Sequence, residues 1–272
     1  MTESTQFHAL DDDARVRDKA PLIHQITNFV VMNFTANVTL ALGAQPVMSH
    51  AVQELEEMQG FASALVVNIG TLDDVWIESM LRAARVASDK GVPVILDPVG
   101  AGATRLRTDV ARRILDETKV AVVRGNAGEI LAVAGDGGQV RGVDSLAEAQ
   151  EVVGVARRFA EERGVIVAMT GAVDVVTDGV RTYCIENGHP LMGRVTGTGC
   201  GSTVAVASYV GVADVEHRCE AAVSALAVYG RAGEIAAEAS RGPGTFVPAF
   251  LDALYQAPTV MKGQDFRVFR KE

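Results

Sequence analysis

Gly91-Val92-Pro93-Val94-Ile95-Leu96-Asp97-Pro98 is the stretch on which the fold turns. Pro93 to Leu96 is short and continuously apolar and stops at an Asp-Pro pair, the pattern of a strand buried on both faces of a parallel sheet. Upstream, Trp76 to Ser88 carries apolar residues at helical spacing and ends at Gly91. Before it, Ala64-Leu65-Val66-Val67-Asn68-Ile69 is strand-like and ends in Gly70. Downstream, Asp109 to Leu115 reads as helix and Val120-Ala121-Val122-Val123 as another buried strand, followed by Arg124-Gly125-Asn126. A helix from Leu146 to Glu162 and a strand from Val165 to Met169, turning at Thr170-Gly171, extend the alternation. Such repeated βα units imply an α/β fold: a mostly parallel central sheet flanked by helices on both faces, in one domain over residues 1–272.

The period then changes. Asp174-Val175-Val176-Thr177-Asp178-Gly179 and Arg181-Thr182-Tyr183-Cys184-Ile185 read as a hairpin turned at Asp178-Gly179. A glycine-rich loop follows, then two or three long, alanine-rich helices. Near the start, Asn33 to Leu42 is read as helix. Met1 to Arg17, with its Asp11-Asp12-Asp13 run, reads as a flexible leader or a short capping helix, and the tail from Val260 to Glu272 carries no signal.

A chain of 272 residues with 48% hydrophobic content can bury a substantial core. Its formal net charge of −9 argues against a nucleic-acid backbone as the main ligand, since that binding draws on clustered Lys and Arg. Three cysteines far apart offer neither metal spacing nor an even disulfide framework, which suits a reducing cytoplasm. The apolar run from Phe29 to Met48 is broken by Asn33, Asn37, Gln45 and Pro46, so no membrane span is expected, and the N-terminus lacks a secretory pattern.

In open parallel sheets the ligand crevice lies beyond the carboxyl ends of the strands. That rule gathers Asn68 and Gly70, Asp97, Arg124 with Asn126 and Glu129, and Thr170 with Gly171 towards one cleft. Asp97 and Glu129 supply hard oxygens suited to Mg²⁺, which usually keeps waters and meets only one or two protein carboxylates. Asn126 and Glu129 equally well form a capping box at a helix start, and both readings can hold. Arg124 is either a phosphate ligand or a solvated arginine.

Arg194-Val195-Thr196-Gly197-Thr198-Gly199-Cys200-Gly201-Ser202-Thr203 precedes the small-residue run Val204 to Val210, a buried helix. The N–H groups of Gly199 to Ser202 then form its unpaired first turn and, with the helix dipole, favour a phosphate. A helix N-terminus lowers a thiol from roughly 8.5 toward neutrality, so Cys200 is expected to accept a proton there. Cys184 and Cys219 read as packing residues. His24 and His50 are expected near the substrate; no histidine is assigned to catalysis.

Several ordered motifs carry a resemblance. They are Ile23-His24-Gln25-Ile26-Thr27-Asn28-Phe29-Val30, Thr35-Ala36-Asn37, Gly43-Ala44-Gln45-Pro46-Val47-Met48, Asp97-Pro98-Val99-Gly100-Ala101-Gly102-Ala103-Thr104, Arg124-Gly125-Asn126-Ala127-Gly128-Glu129-Ile130 and Gly197-Thr198-Gly199-Cys200. Together they resemble the hydroxyethylthiazole kinase family, from about His24 to the final helices. The resemblance implies a ribokinase-like fold and ATP-dependent phosphorylation of 4-methyl-5-(2-hydroxyethyl)thiazole in thiamine salvage. It implies Cys200 as the catalytic residue, where most ribokinase-like enzymes carry aspartate, and Gly197, Thr198 and Gly199 as the anion hole. Asn28, Met48 and Gly197 take the thiazole, Arg124 and Thr170 take ATP, and Asp97 and Glu129 hold Mg²⁺, directly or through water, with Asn126 in support. A homotrimer with the substrate pocket near a subunit interface is likewise implied. Gln45 stands where a small serine is common and Gly201 where a bulkier apolar residue is frequent; the first is expected to reshape the pocket rim, the second to loosen the helix start. A kinase of another small alcohol such as a hydroxymethylpyrimidine, an ATP-dependent hydro-lyase and a non-catalytic nucleotide-binding module remain as alternatives.

Overall fold

The computed structural model describes residues 9–135, 146–264 and 266–271. In chain order the first half comprises α1 (Ala9–Lys19), β1 (Leu22–Ile26), α2 (Met32–Ala41), β2 (Gln45–Val47), α3 (Leu55–Met58), β3 (Ala64–Asn68), α4 (Asp74–Lys90), β4 (Val94–Asp97), α5 (Arg105–Glu117), β5 (Val120–Asn126) and α6 (Ala127–Ala134). The second comprises α7 (Leu146–Arg163), β6 (Ile166–Thr170), β7 (Asp174–Thr177), β8 (Thr182–Ile185), α8 (Thr198–Val210), α9 (Arg218–Ala239), α10 (Pro243–Tyr255), α11 (Ala257–Val260) and β9 (Val268–Lys271).

The strands form one nine-stranded sheet in the order β2-β1-β3-β4-β5-β6-β7-β8-β9. Pairing is parallel from β2 to β6 and antiparallel through β7, β8 and β9. Alternation along each strand divides the core. Leu65 and Val67 of β3 join Trp76, Met80 and Leu81 of α4 on one face, while Ala64 and Val66 pack with α8, α9 and Val38 of α2 on the other. Burial on both faces is why the central strands read as unbroken apolar runs. Local chemistry sets the helix ends: the Asp73 carboxylate accepts the Trp76 N–H at the start of α4, and Gly91, at φ 73°, closes it.

Three strands went beyond the sequence reading, and one end of the chain is better ordered than a flexible leader. β1 carries buried His24 and Gln25, which interrupt its apolar character. β2 contains Pro46 and is tolerated at an edge; Gln45 is exposed there. β9 is the opposite edge, drawn from the silent tail. From Ala9 onward the leader is helix, because polar groups anchor it: Tyr209 donates to Asp13 at 2.9 Å, Ser224 donates to Asp12, and Arg17 donates to the Leu254 carbonyl at 2.7 Å. Residues 1–8, including His8, lie outside the described residues. Among the described residues no helix is long and apolar enough to cross a membrane.

Candidate active site

The carboxyl edge of the sheet presents the expected polar residues in a row. In spatial order stand Met48 just beyond β2, Asn28 beyond β1, Asn68 on β3, Asp97 on β4, Arg124 and Asn126 on β5 and Thr170 on β6. Asp174 joins them because β7 runs antiparallel and starts at the same edge. Arg107 of α5 ties two of these strand ends together, donating to the carbonyls of Val99 at 2.7 Å, Gly70 at 2.8 Å and Ile69 at 3.3 Å.

The N-terminus of α8 closes over this row. Gly197, at φ 88°, caps the helix in a left-handed conformation that favours glycine. The first intrahelical bond runs from the Gly201 N–H to the Gly197 carbonyl at 2.7 Å. The N–H groups ahead of the ladder are therefore those of Thr198, Gly199 and Cys200, one residue earlier than the sequence suggested. Tyr229 of α9 donates to the Thr198 carbonyl at 2.8 Å and fixes the turn. Two glycines here answer to packing. A Cβ on Gly199 would stand 3.1 Å from the Arg124 guanidinium, and one on Gly201 would stand 2.2 Å from the Tyr229 hydroxyl and 2.8 Å from Phe34. Gly201 thus admits Tyr229; a loosened helix start is not what it serves.

Cys200 is partly buried against a ladder of amides. Asn68 Nδ2 lies 3.1 Å and Asn28 Nδ2 3.7 Å from its Sγ. Asn28 Nδ2 also donates to Asn68 Oδ1 at 2.9 Å, and Asn68 Nδ2 to Asp97 Oδ2 at 2.7 Å. Thr203, one turn along α8 from Cys200, donates to Asp97 Oδ2 at 2.8 Å. The expectation of a low thiol pKa is corrected here. Burial first, and then the Asp97 charge, push the Cys200 thiol up to about 12, outweighing the helix dipole and the two amides. Burial likewise raises Asp97 to about 6 against the pull of Arg124, with Glu129 adding to the rise and Thr203 and the Cys200 thiol stabilising the carboxylate.

Arg124 is 8% exposed, not a solvated arginine. Its guanidinium donates to Thr170 Oγ1 and stands 3.7 Å from Asp97 Oδ1. Beside it opens a cavity of about 530 Å³, lined in part by Arg124, Thr170, Asp174, Thr198, Gly199 and Tyr229. The cavity has room for a nucleotide, and its lining combines a buried cation with first-turn residues of α8, whose amides favour phosphate oxygens as the cation does. Asn28, Met48, Asp97, Asn126, Glu129, Gly197 and Cys200 do not line it. The site therefore has two halves, with Cys200 on the β1–β4 side of Gly199 and the cavity on the β5–β7 side. Asp174 was missed by the sequence reading. Its Oδ1 accepts the Gly171 N–H at 2.9 Å, and burial raises its carboxyl to about 6.

Asn126 and Glu129 do form a capping box. Asn126 Oδ1 accepts the Glu129 N–H at 2.9 Å and Glu129 Oε2 accepts the Asn126 N–H at 2.8 Å, while Glu129 Oε1 accepts from Gly100 at 2.9 Å. Asp97 Oδ1 is the contrasting atom, buried with no hydrogen-bond partner. One orphan carboxylate oxygen, with a second carboxylate already anchored nearby, fits a hard divalent cation completed by water and phosphate oxygens. Among the described residues no three His, Cys, Asp or Glu side chains converge, so an all-protein cage is not on offer. His24 and His50 do not line the cavity: His24 Nε2 donates to the Ser49 carbonyl at 2.6 Å and its Nδ1 accepts from Gln59 at 2.6 Å, pinning the loop after Met48. His50 stacks on Trp76 with ring centroids 4.1 Å apart.

A parallel sheet that ends in an antiparallel hairpin, with a glycine-opened helix start over its carboxyl edge, is the frame of the ribokinase-like kinases. A ribokinase-like superfamily protein from Enterococcus faecalis V583 shares that fold at a TM-score of 0.64 and 12% identity, covering 90% of this chain and 88% of its own. Nearer relatives narrow the class. The model of the hydroxyethylthiazole kinase family matches residues 14–259. A hydroxyethylthiazole kinase of Desulfatibacillum aliphaticivorans is 52% identical over 250 residues, 91% of this chain and 92% of the relative. The solved hydroxyethylthiazole kinase structure from Pyrococcus horikoshii OT3 is 44% identical at a TM-score of 0.89, covering 97% of this chain and 99% of its own. The chain belongs to the hydroxyethylthiazole kinase family.

Proposed function

We propose that this chain transfers the γ-phosphoryl group of ATP to the primary alcohol of 4-methyl-5-(2-hydroxyethyl)thiazole, forming its phosphate ester for thiamine salvage. The observation that carries the reading is the placing of Cys200 and the α8 amides between a cavity of about 530 Å³ and the Asn28–Asn68 ladder. Nucleotide phosphates lie against Arg124, Thr170 and the N–H groups that follow Gly197. The thiazole ring lies at the other end, against Asn28, Met48 and Gly197. Phe29 and Val30, directly after Asn28, are exposed at 57% and 66%, which supports a homotrimer with the pocket near a subunit boundary. The cytoplasm is its proposed location, on the grounds of its cysteine usage.

The residues divide the chemistry between them. Asp97 and Glu129, with Asn126 in support, would hold Mg²⁺, which would supply charge neutralisation to the phosphates. Cys200 Sγ orients the alcohol oxygen toward the γ-phosphorus. The thiol is protonated at rest, so it acts as a relay: it accepts the alcohol proton as its own proton passes to an oxygen of the phosphoryl group being transferred. The new oxygen–phosphorus bond forms as the bond to the β–γ bridging oxygen breaks, and ADP departs. In a loose transition state this transfer comes late, and alignment with charge stabilisation carries most of the rate. An ADP-release assay over thiazole, pyrimidine and sugar alcohols, with and without Mg²⁺, tests the reading. The thiazole alcohol is expected to lead with Mg²⁺ present, and Cys200→Ala to lower kcat by about 10²-fold while ATP binding stays intact. No thiazole-dependent ADP release would overturn it.

A further inference from the structure

The cavity has one wall that the strand-end rule does not supply. Asn187, Gly188, His189, Pro190, Met192 and Gly193, from the segment joining β8 to α8, line it. That segment is seated on α9, and α9 is bare where it passes. A Cβ on Gly230 would meet the Asn187 carbonyl at 2.6 Å, and one on Gly233 would meet Met192 Sδ at 2.3 Å. The next residue on α9, Glu234, is 9% exposed and acts as the fastening. Its Oε1 accepts from the Gly188 N–H at 2.9 Å and from Asn187 Nδ2 at 3.3 Å. The same oxygen pairs with Arg267, and Oε2 pairs with Arg231. Arg267 also reaches the segment directly, its guanidinium donating to the Glu186 carbonyl at 2.7 Å and its N–H to Asn187 Oδ1 at 2.9 Å. Gly188 sits at φ 136°, a conformation that side chains rarely adopt, so its backbone is held open toward the carboxylate.

We propose that Glu234 is a positioning residue for nucleotide binding, holding the wall formed by residues 187–193, with Arg267 just ahead of β9 as its brace. The inference rests on the reading of the cavity as the nucleotide half of the site. Glu234 touches no substrate in it. Its charge, shared by two arginines and two donors of one loop, sets how far that wall stands from Arg124 and Thr170 across the cavity. The C-terminal strand thereby contributes to nucleotide affinity from outside the site.

The test uses the full chain. ADP and ATP affinities are measured by titration calorimetry, KM for each substrate by steady-state kinetics, and folding by thermal melting. Glu234→Gln keeps the size and one acceptor oxygen but loses the charge; it is expected to raise the nucleotide Kd and the KM for ATP about tenfold, with the KM for the alcohol within twofold. Arg267→Gln is expected to move the same constants about threefold. Gly233→Ala pushes only the flexible end of Met192, should fold in any event, and is expected to weaken nucleotide binding about threefold. Folded variants with nucleotide constants within twofold of the parent, or with both substrates weakened alike, would overturn the inference. Arg124→Ala separates the two levels. If it weakens nucleotide binding while the Glu234 and Gly233 variants do not, only the wall assignment fails; if it too leaves nucleotide binding unchanged, the cavity reading falls and takes this inference with it.

Discussion

Replacing Gly201 by alanine sets two effects against each other, and the structure decides the sign. Residue 201 lies inside α8, where alanine gains about 1 kcal/mol over glycine from helix propensity. The added methyl, however, would stand 2.2 Å from the Tyr229 hydroxyl and 2.8 Å from Phe34. Overpacking of this kind costs about 1–3 kcal/mol. If Tyr229 moves to make room, its bond to the Thr198 carbonyl is lost and the buried Tyr229 hydroxyl goes unpaired, adding about 1–3 kcal/mol. The net loss is about 1–5 kcal/mol, which at about 2 °C per kcal/mol lowers Tm by about 2–10 °C. Because Tyr229 also fixes the turn beside Cys200, kcat falls with it. Thermal melts and steady-state kinetics on Gly201→Ala, Tyr229→Phe and the double variant measure both effects. In the Tyr229→Phe background the nearest clashing atom is gone, so the penalty of the added methyl should drop by more than half. A Gly201→Ala protein that melts above its parent would refute the reasoning, since propensity alone would then have prevailed.

Other outcomes follow from the same geometry. With its thiol pushed up to about 12, Cys200 should react slowly with iodoacetamide at pH 7 and about tenfold faster per pH unit through pH 9, followed by peptide mass spectrometry; a plateau near neutrality would contradict the burial argument. Asp97 is raised from 3.8 to about 6, so the folded protein loses about 3 kcal/mol as pH climbs through that range. Asp97→Asn escapes that loss. Its Tm relative to the parent should therefore be several degrees more favourable at pH 8 than at pH 4, while kcat falls about 10²-fold; a pH-independent Tm difference would count against the assignment. Arg107→Ala frees three carbonyls at the ends of β3 and β4. It should cost about 2 kcal/mol, or about 4 °C in Tm, and an unchanged melt would refute the clamp.

The central strands were legible because β3, β4, β5 and β6 are sandwiched between helices and need apolar residues at nearly every position. β1 was hidden by His24 and Gln25; the His24 ring nitrogens pair with Ser49 and Gln59 and the Gln25 amide N–H donates to Thr39, partners distant in sequence. α1 was half legible, read as a flexible leader or a short capping helix, because its acidic run is matched only by Tyr209 and Ser224 from the far end of the chain. At the site, the residue types at the strand ends were readable, as was the glycine loop. The protonation state of Cys200 was not, because a helix terminus is a local feature whereas burial beside Asp97 is created by folding. Thr203 carried a readable signal, lying three residues after Cys200 on the same helix face. Glu234 carried none, since nothing in its neighbourhood on α9 announces that a loop 46 residues earlier will hang from it.

The row of side chains along the carboxyl edge gives the molecule a ruler. Strands in a sheet are spaced about 4.8 Å apart, so the three steps from β1, which leads into Asn28, to β5, which carries Arg124, amount to about 14 Å across the strands. That graduation is set by backbone hydrogen bonds, which side-chain substitutions leave alone. On the proposed placing of ring and phosphate, an alcohol whose arm is too short or too long for its ring to rest at one mark while its oxygen reaches the next is measured and turned away, and re-tailoring the β2 margin for a different ring leaves the calibration at the phosphate end untouched.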